Sequence, residues 1–298
     1  MKYVITGSLG HISKPVVIAL VKAGHDVTVI TSNPDRAKDI EALGAKAQAG
    51  SVEDTAFLQK AFAGAEVIYT MVPPNYAAKD VKAFIGQVGK NYAEAIKAVK
   101  TVKYIVNLSS IGAHLPGGVG PVSGLHRAEQ ALNVIPGVQI RHLRPAYFYY
   151  NLLGMIPMIK HMDVLGSNFA VSGKKFPIVA PPDIAAVAAE ELLQLNFTGI
   201  SARYIASDEI STTDLASVLG KAVGKPNLQW VPFTDEQALG GMLQGGLSEV
   251  WAREYVEMGQ AIQSGIMNED YWKHHPARLE KTKLEDFAVT FAAAYSGN

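Results

Sequence analysis

The feature that most restricts this chain is a glycine-bearing turn, Thr6, Gly7, Ser8, Leu9, Gly10, His11, Ile12, Ser13. It lies between the apolar run Tyr3, Val4, Ile5 and the helically spaced Val16, Val17, Leu20 and Val21. A buried-type strand thus leads through a tight turn into a helix that stops at Gly24. Gly7 permits the sharp turn, Gly10 lets a ligand come close to the backbone, and the small Ser13 lets the helix pack near the strand, where a third glycine often sits. Unpaired N–H groups at the helix start then face any diphosphate placed there. A glycine pattern alone carries little weight; strand before and helix after make this one a dinucleotide turn.

The alternation continues for well over a hundred residues. Residues 27–30 read as a second buried strand, and Asn33 with Pro34 supply an N-cap and first-turn proline for a helix reaching Leu43. Residues 46–49 and 66–72 are further strands on either side of a helix at 54–63, the second of them closed by Pro73 and Pro74. From Asp80 onward Val81, Phe84, Ile85, Val88, Tyr92, Ile96 and Val99 recur at helical spacing. Strands at 104–108 and 139–143 follow, the latter ended by Arg144 and Pro145. Strand and helix repeating in this way predict an α/β fold, a doubly wound parallel sheet of Rossmann type with right-handed crossovers and helices on both faces.

Near residue 150 the pattern becomes irregular and richer in aromatic residues and methionine. The expected division is a Rossmann domain over 1–150 and a smaller, mainly helical substrate-side region over 151–298, from which a strand near 202–206 rejoins the sheet. Residues 213–223 and 248–262 read as amphipathic helices, whereas Gly240, Gly241, Gly245 and Gly246 read as a turn or a loop over a ligand.

Charge narrows the partners. Lysine plus arginine number 27 and aspartate plus glutamate 27, so a zero formal charge gives no electrostatic reason to expect nucleic acid or an anionic membrane. A small-molecule partner is expected instead. No stretch stays apolar for the ~18 residues a membrane helix needs, and Met1 and Lys2 lead directly into the first strand, so neither a membrane span nor a targeting segment is expected. With no cysteine there is no disulfide and no thiolate chemistry, which fits a cytoplasmic setting. His274 and His275 lack a third ligand and precede Pro276, so they read as a surface loop and no metal site is expected.

The choice of nucleotide turns on the end of the second strand. An acid that binds the ribose of NAD usually lies about 20 residues past the glycine turn, at the carboxyl end of that strand. Asp26 has the spacing but precedes the strand. At the correct end stand the neutral Thr31, Ser32 and Asn33, with Arg36 in the next helix able to add positive charge. This set favours NADP(H) through its 2′-phosphate; if Arg36 is only a solvated helix residue, NAD(H) is the alternative.

Several further residues occur in a specific order: the Ser109 and Ser110 pair, then Leu143, Arg144, Pro145 and Ala146, then Phe148 and Asn151, then Asp183, Ile184 and Ala185. Together with the Gly7, Gly10 and Ser13 turn they make the chain resemble the NmrA-like branch of the atypical short-chain dehydrogenases over nearly its whole length. The resemblance implies that Leu9, His11 and Ile12 border the pyrophosphate and adenosine. It implies that Ser51, where the family commonly has aspartate, and Val52 flank the adenine. Met71, Val72 and Pro73 would then pass beside the ribose and nicotinamide, and Ser109 would close that end.

The departures matter for chemistry. Ordinary short-chain dehydrogenases follow the strand-five serine with a tyrosine and, four residues on, a lysine that together move a proton. No tyrosine stands between Tyr104 and Tyr147 and no lysine between Lys103 and Lys160. His126, one helical turn before Glu129, is the catalytic candidate in that segment, able to hold the ribose or act as a weak acid. Tyr147, Phe148 and Asn151, just past the sixth strand, are the candidate substrate contacts, since open α/β sheets bind ligands there.

The expected activity is transfer of hydride from NADPH to a small planar acceptor such as a quinone, whose reduced oxyanion is a stabilised phenolate that water can protonate. The alternative is a sensor of the NADP state, without turnover, that reports to a regulatory protein partner. A sugar-nucleotide epimerase would need the missing tyrosine. The sequence leaves open whether the chain forms a homodimer.

Overall fold

A computed structural model describes residues 1–297. In chain order the first half comprises β1 (Lys2–Ile5), α1 (Ser13–Lys22), β2 (Asp26–Thr31), α2 (Ala37–Ala42), β3 (Lys46–Ala49), α3 (Thr55–Phe62), β4 (Val67–Thr70), α4 (Val81–Val99), β5 (Tyr104–Leu108), α5 (Val122–Asn133) and β6 (Gln139–Pro145). The second half adds β7 (Tyr147–Phe148), α6 (Ile156–Met162), β8 (Val164–Ser167), β9 (Phe176–Val179), α7 (Pro181–Gln194), β10 (Ile200–Ile205), β11 (Asp208–Ile210), α8 (Thr212–Ala222), β12 (Gln229–Pro232), α9 (Asp235–Gln244), α10 (Glu249–Ser264), α11 (Glu269–Lys273) and α12 (Leu284–Ser296). Among the described residues no helix is long and apolar enough to cross a membrane.

One seven-stranded sheet, ordered β10-β6-β5-β4-β1-β2-β3, organises the molecule, and every pair in it is parallel. Its central strands are apolar on both faces, with Val4, Ile5, Val67, Ile68 and Ile105 fully buried, as helices on either side require. Val16, Val17 and Leu20 of α1 fill one layer, and Val88, Tyr92 and Ile96 of α4 fill the other. The order reverses beside β1, because the chain runs from β1 to β2 and β3 on one side and then returns to β4 on the other. Ligands bind at such a switch point, outside the carboxyl ends of the strands.

The α4–α5 pair is locked by small residues. A Cβ on Gly89 would lie 2.5 Å from the Ala128 Cα, so the two helices approach as closely as backbone allows. This contact fixes the height of α5, and with it the position of Glu129 beneath the sheet's carboxyl edge.

Three expectations need correction. The sixth strand does not stop before Arg144 and Pro145 but runs through them, because β10 pairs alongside, with Tyr204 opposite Arg144 and Ile205 opposite Pro145. The helix expected at 34–43 is broken into a 3-10 turn over Pro34–Arg36, capped by the Asn33 side chain at 2.9 Å, and the short α2. Gly240 and Gly241 lie not in a loop but within α9, which a Thr234/Gln237 capping box starts. Beyond β6 the chain is helical but also carries two small sheets, β11-β9-β7 and β12-β8.

Candidate active site

The turn after β1 has the backbone that its glycines require. Gly7 has φ +90° and Ser8 φ +54°, and a Cβ on Gly7 would meet the Ser13 Oγ at 2.7 Å and the Met71 Cγ at 2.8 Å. Ser13 donates to the Thr6 carbonyl oxygen at 3.1 Å, which ties the first turn of α1 to the end of β1. The helix opens with no side-chain cap and no acid in its first turn. The Lys14 and Val16 N–H groups are already bonded to the Gly10 and Ile12 carbonyl oxygens and Pro15 has none. Among the described residues the N–H groups of His11, Ile12 and Ser13 are therefore the ones left to meet an anionic diphosphate, beside a cradle with no Cβ at Gly7 or Gly10.

Neighbouring strand ends extend this cradle in both directions. Toward β2, Ser8 Oγ donates to the buried Thr31 Oγ1 at 3.0 Å, and Thr31 is itself bonded to the backbone of Asn33. Ser32, Asn33 and Arg36 are exposed just beyond, and among the described residues Arg36 forms no salt bridge. On the β3 side, Asn91 of α4 donates to the carbonyl oxygens of Val52 and Glu53 at 3.2 and 3.1 Å, holding the Ser51–Val52 bend in place. Toward β4, the Met71 N–H donates to Thr6 Oγ1 at 2.9 Å and Tyr92 donates to the Met71 carbonyl oxygen at 2.7 Å. Met71, Val72 and Pro73 are thereby fixed at half-buried positions.

The strand order turns these fragments into a track. From Ser51 after β3, through Thr31 and Gly7, to Met71 and then Ser109 after β5, the residues stand at the carboxyl ends of consecutive neighbours in one sheet. At ~4.8 Å per strand the track spans roughly 19 Å, which suits an extended two-ended ligand better than a mononucleotide. Leu9, His11 and Ile12 overhang it, with the exposed His11 ring edge-on to Tyr150 at 5.0 Å.

Past the β5 end of the track lies a cavity of about 220 Å³. Tyr147, Phe148 and Asn151 line it together with Ser110, Ile111 and Ala146. Phe176 of β9 and Tyr255, Met258 and Ile262 of α10 form other walls, and Met267 and Asn268 complete the lining. No charged side chain reaches it. The Tyr147 ring is held edge-on by Phe169 and Phe176, each at 6.1 Å. Burial pushes its phenol up to about 12, against the pull of the Asn151 side chain beside it.

Ser109 is anchored from behind. Its hydroxyl donates to the Glu129 carboxylate at 2.6 Å, and Arg144 donates to both oxygens of that carboxylate, at 3.1 and 2.7 Å. Arg144 also reaches the Tyr204 hydroxyl at 3.1 Å and Asp270 of α11 at 3.4 Å. Glu129 is only 1% exposed, so its carboxylate is shielded from water and depends on Arg144, whose outer edge faces a cleft, for its partner. Removing either partner of such a pair costs about 3–5 kcal/mol because the other charge is left buried alone. The same guanidinium thus couples β6 to the segment carrying Met267 and Asn268.

His126 lies elsewhere. Its Nδ1 is 2.9 Å from the Ala113 carbonyl oxygen, and its ring lines a groove between α4 and α5 with Lys90, Glu94 and Arg127. It does not line the cavity that holds Tyr147. A larger cleft of about 560 Å³ runs along β6 and β10, but Arg141, Arg144 and Arg203 in its wall are committed to Glu191, Glu129 and Glu190. His274 and His275 sit at the end of α11, paired with Asp270 and Glu209.

Ser110, Ile111, Ala146, Phe176, Tyr255, Met258, Ile262, Met267 and Asn268 are the cavity residues that sequence reading did not assign as substrate contacts. For Tyr255, Met258 and Ile262 a signal exists, since spacings of three and four put them on one face of the expected helix at 248–262. Nothing local marks Phe176 or Met267.

A doubly wound sheet with a glycine-turn track that ends on a separate uncharged cavity defines a Rossmann-type protein with a candidate site in two parts. The chain belongs to the NmrA-like family, which it matches over residues 2–239. It is 24% identical over 257 residues, 85% of each chain, to the NAD(P)H azoreductase of Xenophilus azovorans. The crystal structure of an NADPH-dependent quinone oxidoreductase from Escherichia coli superposes with a TM-score of 0.79 at 21% identity, covering 97% of this chain and 98% of that one. The triphenylmethane reductase of Citrobacter sp., complexed with NADP(H), gives 0.76 at 20% identity over 97% and 99%. At this identity the two structures establish the shared fold.

Proposed function

We propose that the chain is an NADPH-dependent oxidoreductase that passes hydride to a small, planar, uncharged acceptor such as a quinone. The observation that carries this reading is the cavity of aromatic and methionine walls, free of charged side chains, at the β5 end of the dinucleotide track. Flat apolar walls favour a planar ring system, and Ser110, Asn151 and Asn268 offer hydrogen bonds to its heteroatoms. An anionic acceptor would be stripped of water there with no cation to receive it. Relatives named for reduction of a quinone and an azo compound support the same class of acceptor.

In this reading Gly7, Leu9, Gly10, His11 and Ile12 hold the pyrophosphate, Ser51 and Val52 the adenine, and Met71, Val72, Pro73 and Ser109 the nicotinamide end. Thr31, Ser32, Asn33 and Arg36 receive the 2′-phosphate, which makes NADP(H) the preferred nucleotide. When bound, the reduced nicotinamide supplies the hydride. The chain's own residues align the acceptor in the cavity and exclude water from it.

Following NADPH oxidation at 340 nm with a panel of quinones, azo dyes and carboxylated analogues tests this. Uncharged quinones and dyes are expected to turn over and the carboxylates to fail. Tight nucleotide binding without turnover on any acceptor would overturn the enzyme and leave a sensor that reports the NADP state to a protein partner.

A further inference from the structure

The cavity poses a problem that its own walls must solve. Reduction leaves negative charge on an acceptor atom, and no cation lines the cavity to meet it. The pair that supplies the proton in ordinary short-chain dehydrogenases is missing. Of the polar groups that line the cavity, the amides of Asn151 and Asn268 and the hydroxyl of Ser110 are not acids at any ordinary pH, whereas a phenol with a pKa of about 10 is.

Two phenols are present, Tyr147 and Tyr255. Tyr147 directly follows β6, next to the strand whose end carries Ser109 and Ser110, and so stands on the nicotinamide side. Tyr255 projects from α10 and faces two ways. It shares the cavity wall with Tyr147. Tyr76, in the loop after β4, is 57% exposed and packs against Trp251 at 5.0 Å, which packs in turn against Tyr255 at 5.6 Å. Trp251 is pinned by a 3.0 Å bond from its indole N–H to the Asn75 carbonyl oxygen, so the loop and α10 are held together. Three phenols thus lie in order between the cavity and solvent.

We propose that Tyr147 is the proton donor of the reduction, and that Tyr255 and Tyr76 are the path by which solvent replaces its proton. The proposal rests on the reading of the chain as a reductase. In the balanced step the acceptor gains a hydride equivalent from the reduced nicotinamide, and its heteroatom takes the proton as the Tyr147 O–H bond breaks. The Tyr147 oxygen is reprotonated by Tyr255, Tyr255 by Tyr76, and Tyr76 by water, so one solvent proton is consumed per turnover. Burial keeps the Tyr147 phenol neutral across the physiological range, which is the form a donor needs.

The test uses the full chain and the substitution Tyr147→Phe, which removes one hydroxyl and leaves the ring between Phe169 and Phe176. General-acid assistance follows the basicity of the atom that receives the proton. Across acceptors from electron-poor quinones to aromatic azo compounds, the loss in kcat is expected to grow from a few-fold to roughly 10²–10³-fold. Affinity for NADPH, read by its fluorescence, stays unchanged. Tyr76→Phe is expected to slow turnover less and to keep a solvent deuterium isotope effect.

Binding without nucleotide gives a readout independent of turnover. Neutral 4-nitrophenol bound in the cavity is expected to ionise at a lower pH in the wild-type protein than in Y147F, read from its phenolate absorbance, because the lost hydroxyl no longer donates to the bound oxygen. If Y147F is unstable by thermal melting, Y255F carries the kinetic test, with a loss that again rises with product basicity. A wild-type protein that turns over while Y147F loses nothing, or loses the same factor with every acceptor, overturns the proposal alone. A wild-type protein that reduces no acceptor overturns the reductase reading and the proposal together.

Discussion

The two ends of the site are built by different physics. The end near Gly7 is made of backbone: a positive φ, a missing Cβ, and N–H groups at the start of α1, all contributed within a dozen residues of sequence. The cavity end is made of side chains. Ser110, Tyr147, Phe176, Tyr255 and Met267 arrive from five separated segments and meet only because the chain doubles back over the carboxyl edge of the sheet. Backbone sites bind what every member of a fold class binds, since peptide groups are the same in each; side-chain sites set what is particular to one protein. Nucleotide binding and acceptor choice should therefore respond to mutation independently.

That independence can be broken or sharpened by a graded set of changes. The largest effect is expected from Gly7→Val. A side chain there is strained by φ +90° and collides with Ser13 and Met71, so affinity for NADPH should fall by roughly 100-fold or more. Binding of a nucleotide-free probe such as 4-nitrophenol in the cavity should be retained. Equal loss of both would show that the two ends are one cooperative unit.

Arg36→Ala comes next. Loss of an exposed charge-assisted contact to phosphate should weaken NADPH by about tenfold and leave NADH unchanged, as measured by calorimetry at low and high salt. Smaller still, Met258→Ala opens one wall of the cavity and should raise KM for a quinone by about three- to tenfold with no change in nucleotide affinity.

A last test concerns the floor beneath both ends. His142 is 2% exposed in β6, with Asn107 Nδ2 at 3.0 Å from its Nδ1 and Asn133 Oδ1 at 2.8 Å from its Nε2. Because the Asn107 carbonyl oxygen already accepts from Thr70, this arrangement suits the neutral ring, and burial lowers the histidine's pKa below its ordinary value of 6.5. The unfolded chain therefore binds the proton more readily. The stability contributed by the neutral ring is complete above about pH 6.5 and is lost as pH falls toward the folded value. Thermal melting should drop by a few degrees between pH 7.5 and pH 5. His142→Gln should flatten that dependence.

The same contrast explains what could be read before the fold was known. Residues 46–49 and 104–108 are strands to the residue; the second is legible because its apolar run is short and bounded on both sides, whereas Lys46–Ala49 is a partly exposed edge strand marked mainly by its place in the alternation. The glycine turn is legible because its strand and its helix adjoin it. Pro145 reads as a strand end from its own chemistry, yet it continues β6 because a partner strand some 55 residues later supplies a neighbour that no local pattern announces. Gly240 and Gly241 read as loop formers, yet the capping box at Thr234 and packing on α10 hold them in a helix. The aromatic cluster after β6 could be placed at the carboxyl edge of the sheet, where the cavity lies, by position alone. Its opposite wall on β9 and α10 could not, because which helix folds over an open sheet edge is decided by tertiary packing.

The proposed nucleotide binding depends on the main-chain cradle at Gly7. Calorimetric titration of the wild-type protein with NADPH is the direct measurement: a saturable one-to-one heat, absent in Gly7→Val, is the predicted result. No heat and no thermal stabilisation with any nicotinamide nucleotide, oxidised or reduced, would contradict it.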